Sequence, residues 1–222
     1  MKCVSKKMMS LIIFSIFIVT GCRKAAVFVP SPSPPLTSVI VDLVHITSDI
    51  EDENYQSPSG ETTLLWNSHG HVPILAPDGH KLTMGEFNDA SGKAAVTYLH
   101  EGTKIEINLQ GLIPNGIYSI SILTFKLPGL HGSFGNPIGR GTLGLNGGNE
   151  HIFTAASDGT ASLSAIVYAQ SLSGFGSVGN CLCSEYEIQL LAAFQSGNTL
   201  NSDLGNPDSW VNQFAFQFRG HQ

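Results

Sequence analysis

Two histidines separated by one glycine, His69-Gly70-His71, are the most suggestive chemistry in this chain of 222 residues. On an extended strand, side chains at i and i+2 point to one side. Two imidazoles so placed could share a copper or zinc ion, with His80, His100, His131 or His151 completing the ligand set. The same tripeptide near Pro73 also reads as an ordinary exposed loop carrying no ligand. Cys181-Leu182-Cys183 is the second candidate. In an extended segment the two α-carbons lie about 6.5–7 Å apart, at or beyond disulfide range, so a bridge needs a tight turn, which Gly176 to Asn180 can supply. A small-loop structural disulfide is the leading expectation, and a soft-metal thiolate pair or a redox pair the alternative. For acyl transfer the chain lacks Gly-x-Ser-x-Gly, since Gly132-Ser133-Phe134-Gly135 and Gly174-Phe175-Gly176-Ser177 differ in spacing. Glu185 and Glu187 fall on the outer face of an expected strand, where their role is solubility, although paired carboxylates can also do glycosidase-type work. Gly139-Arg140-Gly141-Thr142-Leu143-Gly144 has the glycines of a phosphate loop without its lysine or following helix. No catalytic set emerges, so the expected class is a non-enzymatic module.

Short strands separated by turn signals must position these residues. The most informative stretch runs from Lys104 to Phe125. Ile105, Ile107 and Leu109 alternate with Lys104, Glu106 and Asn108, the period of a strand with one dry face. Pro114-Asn115-Gly116 then turns the chain, and Tyr118, Ile120 and Ile122 share one face of a central strand. Further strands are expected at Lys81–Phe87, Ala94–Leu99, His151–Ala155, Ala161–Tyr168, Tyr186–Phe194 and Trp210–Phe218, with Thr37–Ile46 as a first or accessory strand. Asn88–Gly92, His100–Gly102 and Ser157–Gly159 are short enough to make hairpins of their neighbours. Trp210, Phe214, Phe216 and Phe218 share one face of the last strand and should bring the C-terminus into the core. Spacing of this kind predicts an all-β, antiparallel sandwich of about 7–9 strands. The long glycine-rich stretch from Pro128 to Asn149, and Ser196–Ser209, are the loops where a site would sit.

Leu112-x-Pro114-x-x-x-Tyr118 resembles the tyrosine corner of immunoglobulin-like and fibronectin type III sandwiches, in which the hydroxyl bonds back to the upstream backbone. That resemblance implies an immunoglobulin-like fold and a structural role for the three residues. Gly111-Leu112-Ile113-Pro114, with Phe134-Gly135-Asn136-Pro137 and Asp158-Gly159-Thr160-Ala161, is also similar to the copper/zinc superoxide dismutase sandwich. There the following strand carries a His-x-His ligand pair; here Ile120 and Ile122 stand in its place, so the copper site is absent from the likeness. The body from Trp66 to Phe218 also looks like uncharacterised secreted bacterial proteins sharing Gly85-Glu86-Phe87, the Gly-Leu-x-Pro turn and Gln213-Phe214-Ala215-Phe216, a likeness that carries no activity.

Residues 1–21 have the form of a secretory signal: Lys2, Lys6 and Lys7 precede an apolar run from Met8 to Val19 that is short for a membrane span. Val19-Thr20-Gly21-Cys22 resembles the bacterial lipobox. The match implies cleavage before Cys22, diacylation of its thiol and a chain held in the cell envelope by lipid; a plain cleaved signal or an uncleaved anchor is the alternative. Arg23, rather than aspartate, follows the cysteine, which implies the outer membrane in a Gram-negative cell. Residues 22–60, including Pro30-Ser31-Pro32-Ser33-Pro34-Pro35, read as a lipidated, proline-stiffened tether, and 61–222 as the folded domain. Without Cys3 and Cys22, the remaining thiols are Cys181 and Cys183, in an oxidising compartment. Only 13% of residues are charged, which suits a sheet protein surfaced with Ser, Thr, Asn and Gly. Removing the three signal lysines leaves 8 basic against 17 acidic residues, a charge of -9 that argues against nucleic acid as a partner. The expected partners are the membrane and a protein or glycan. Trp66 or Trp210 exposed in a shallow groove would point to a surface polymer.

Overall fold

Alternating apolar residues decide which side of each strand is buried. The computed structural model describes residues 38–126, 137–143, 151–168, 186–198 and 207–219. Thirteen strands run through them: β1 (Ser38–Asp42), β2 (Val44–His45), β3 (Ile50–Glu51), β4 (Trp66–Asn67), β5 (Val72–Pro73), β6 (Ser91–Tyr98), β7 (Gly102–Gln110), β8 (Ile117–Lys126), β9 (Gly139–Thr142), β10 (Ile152–Thr154), β11 (Ala161–Tyr168), β12 (Tyr186–Gln195) and β13 (Trp210–Arg219). Eight of these have four residues or more, and the rest are two- or three-residue ladders. All pairings are antiparallel. One sheet has the order β1-β6-β7-β11, a second has β10-β8-β12-β13-β2 with β9 also on β8, and a small third sheet has β3-β4-β5. The protein is an all-β, antiparallel sandwich.

Ile105 and Ile107 of the first sheet, and Tyr118, Ile120, Ile122, Phe214 and Phe216 of the second, belong to one buried cluster. Each such side chain contributes roughly 1.5–3 kcal/mol relative to exposure. One side of the sandwich is closed by a single stretch of chain: β1 pairs with β6, and after Leu43 the chain crosses to pair with β13 as β2. The body therefore reaches further towards the N-terminus than the boundary expected at residue 61. Polar, acidic residues at 49–60 look like spacer, yet Ile50 is buried in the core and Val39, Val41 and Leu43 pack against it.

Three further expectations are corrected. Lys81–Phe87 is not a strand: Lys81 makes one bridge with Leu75, and α1 (Met84–Asn88) follows. Thr83 and Glu86 form a capping box there, satisfying orphan backbone donors that a strand would have paired sideways. The turn at Ser157–Gly159 does not make a hairpin of its neighbours, because β10 lies in the second sheet and β11 in the first. Glu187 is fully buried rather than solubilising, and accepts a hydrogen bond from Gln189 Nε2 at 2.9 Å.

Candidate functional site

Two of the connections that cross between the sheets, β7 to β8 and β10 to β11, lie side by side at one end of the sandwich. Leu112 N–H donates to the Gly159 carbonyl and Ala155 N–H to that of Gly116, both at 2.9 Å. Gly111 takes a left-handed φ of 67° and lies so close to Asp89 that a methyl group would overlap its carbonyl oxygen. Beneath the loop, Ile113 N–H donates to the buried Tyr118 hydroxyl at 3.0 Å. Burial pushes the Tyr118 phenol far above its ordinary pKa, and the bond from Ile113 offsets this only in part. Leu112, Pro114 and Tyr118 thus frame a rigid turn.

Residues 46–90 fold over this end as a cap. Gly197 N–H donates to the Leu75 carbonyl at 3.0 Å and Leu75 N–H to Ser196 Oγ at 2.9 Å, while Asn67 Nδ2 reaches the Trp210 carbonyl at 2.9 Å. A cleft of about 460 Å³ opens between the cap and the crossing loops. Its floor includes buried Leu112 and Ile113, and its walls carry Asp78, His80, Glu86 and Asp158. His80 spends both ring nitrogens on carboxylates, Nδ1 on Asp78 Oδ1 at 2.6 Å and Nε2 on Glu86 Oε1 at 2.9 Å. Asp78 first, then Glu86, holds the imidazole above its ordinary pKa. Burial pushes Glu86 upward, but bonds from Thr83 and His80 outweigh it and leave the carboxyl below its usual range. The Thr160 hydroxyl and N–H likewise lower Asp158.

His69-Gly70-His71 lies on the cap, on the loop between β4 and β5. Asn67 pairs with Val72 to close that loop, and its side chain accepts from His69 N–H at 2.8 Å. His71 has a φ of 49°, so the segment is not extended and the i, i+2 rule for a strand does not hold. The two rings accordingly go to different neighbours. His69 faces Trp210, with centroids 6.2 Å apart. His71 lies flat between Tyr55 at 3.6 Å and Trp66 at 4.9 Å, its Nδ1 2.6 Å from Glu51 Oε1. Lys81 Nζ lies 5.0 Å from the Trp66 ring centroid. Trp66 and Trp210 are each half-buried, with indole N–H groups that are shielded and have no hydrogen-bond partner among the described residues.

His100 stands in the β6–β7 turn, away from His69 and His71, because Tyr98 pairs with Thr103 at the opposite end from the Ser91 and Gln110 pair. Among the described residues no group of three or more His, Cys, Asp or Glu side chains is placed to hold a metal ion. Cys22, His131, Cys181, Cys183 and Glu185 lie outside the described residues. Sequence reasoning missed Tyr55, Glu51 and Lys81, which carry no motif and meet only through the fold. Thr83 and Glu86 did carry a readable signal, the Thr-x-x-Glu spacing of a capping box.

The fold and this end of it define an antiparallel sandwich whose one end is covered by an acidic cap with a cleft and an aromatic stack. Compared with known proteins, the chain matches no family model and no curated protein.

Proposed function

We propose that this chain is a lipid-anchored envelope protein, acylated at Cys22, whose sandwich is a non-enzymatic binding module working through its capped end. One observation carries the choice of end. The first described strand begins at Ser38, which pairs with Thr97, whereas the cleft lies beyond Gln110 and Ser91 at the opposite end. Loops gathered at one end of a sandwich are a common place for contacts. His80 and Glu86 are engaged with each other, a state that suits a fixed polar wall better than proton transfer.

The anchor is tested by growing cells with an alkyne-tagged palmitate. Label should enter the wild-type chain and be lost in Cys22→Ser, which should leave the membrane fraction. Equal labelling of both would retire the anchor at Cys22. The working end is tested by single cysteines at Asp158 and Glu101, each reacted with a bulky maleimide: a block at the capped end, and not at the other, should abolish ligand binding.

A further inference from the structure

The stack on the cap is open at its Tyr55 end. Lys81 Nζ lies over the Trp66 ring, His71 stacks on Trp66, and Tyr55 stacks on His71. Among the described residues Tyr55 has no ring contact besides His71, and it remains 66% exposed. Its ring is nevertheless held. A tight turn at Asp52–Gln56 fixes it, with Asn54 and Gln56 N–H both donating to Asp52 Oδ1 and Asp52 N–H donating to the Gln56 carbonyl at 2.8 Å. Tyr55 itself has a left-handed φ of 62°, an uncommon state for a bulky residue that the turn maintains. An aromatic face is thus presented to solvent, in one orientation, at the end of a rigid pile.

Charge decides what would lie on it. Residues 46–90 carry eight acidic side chains and one basic, Lys81, while the rest of the chain has nine acidic and ten basic. The cap therefore carries a net charge of -7 against +1 for the rest of the chain, or -2 for the rest without the three signal lysines, with Glu51, Asp52 and Glu53 adjoining Tyr55 in sequence. Such a field concentrates cations and repels anionic polymers. The ring quadrupole attracts the same sign of charge, as Lys81 on Trp66 already shows within the fold.

We propose that the open face of Tyr55 is a docking point for an arginine side chain of a basic polypeptide partner, the acidic cap steering that partner to it. Guanidinium is favoured over ammonium because its plane stacks on a ring while its N–H groups reach neighbouring carboxylates. This assignment rests on the capped end being the binding end.

The test uses the full chain purified from membranes in detergent and titrated with fluorescent octa-arginine, octa-lysine and an uncharged peptide of the same length. Octa-arginine should bind most tightly, and its affinity should fall as salt rises. Tyr55→Leu, with an unchanged melting temperature, should weaken it by roughly two- to fivefold, and Tyr55→Phe should not. Binding unaffected by Tyr55→Leu but weakened by Asp78→Asn with Asp158→Asn would overturn the Tyr55 assignment and leave the capped end standing. Loss only in Glu101→Gln, at the other end, would overturn both. A neutral oligosaccharide that binds where octa-arginine does not would also sink the proposal.

Discussion

The Tyr118 hydroxyl accepts the Ile113 N–H at 3.0 Å in a region closed to water, so its removal leaves a buried donor without a partner. Tyr118→Phe should therefore cost about 1–3 kcal/mol although the ring is retained. In a domain of this size each kcal/mol lowers the melting temperature by about 2–4 °C, which circular dichroism detects; an unchanged melt would deny the hydroxyl its role. His80 makes a prediction in pH. Its folded pKa is raised, so the stability it contributes is complete below the ordinary value of 6.5 and disappears as pH rises through the folded value. Asp78 and Glu86 are lowered, so theirs is present above the ordinary values of 3.8 and 4.5 and disappears as pH falls. The difference in melting temperature between wild type and His80→Gln should thus be largest between about pH 4.5 and 6.5 and shrink towards pH 8. The pair is exposed and screened by solvent, so the effect is small, and a difference that grows with pH would contradict it. At this scale the sequence was legible for Tyr118, whose partner is five residues away. His71 was not, because Tyr55, Glu51 and Trp66 come to it by tertiary packing, and a left-handed φ undoes the geometry that an i, i+2 pair suggests.

Between strands the pairing carries a defect that stabilises the cap. Opposite Ala192 and Ala193 of β12, the partner residues on β13 are Phe214 and Asn212, leaving Gln213 as the extra residue of a bulge. Its carbonyl accepts the Ile46 N–H at 2.9 Å, and its buried side chain donates through Nε2 to the Phe87 carbonyl at 2.6 Å. That carbonyl lies in the last turn of α1, where intrahelical partners run out. Gln213→Ala should cost about 2–4 kcal/mol, from the orphaned carbonyl and the vacated volume together. A denaturant midpoint equal to wild type would show that α1 does not depend on the bulge. Strands such as Ala161–Tyr168 were readable residue for residue, since a period of two is a local property. The bulge was not, because nothing local distinguishes Gln213 from Gln217. Nor could the turns at Pro114–Gly116 and Ser157–Gly159 reveal that they change sheets: the same residues serve a hairpin, and only the partners of β8 and β11 decide. Over α1 the strand expected at Lys81–Phe87 overlooked a capping box, Thr83 with Glu86, that was present in the sequence.

For the molecule as a whole, the outstanding question is where folding begins. A boundary at residue 61 follows the composition, since Asp49 to Gly60 is polar and acidic, yet it cuts through the architecture. Without residues before 61, β6 and β13 lose the strands at their outer edges, β1 and β2. The core loses Ile50 and the flanking Val39, Val41 and Leu43, and the stack loses Glu51 and Tyr55. Four apolar side chains, some only partly buried, are together worth on the order of 4–8 kcal/mol, against a total stability of about 5–15 kcal/mol for a domain. The open edges add to this, since a bare strand invites pairing between molecules. A chain of residues 61–222 should accordingly be recovered as aggregate, or melt without a cooperative transition, whereas 35–222 should melt cooperatively. If 61–222 instead unfolds in one sharp step near the temperature of the longer chain, the crossing from β1 to β2 is an ornament on a sandwich that closes without it, and the cap would then be a module separable from the strands that lead into it.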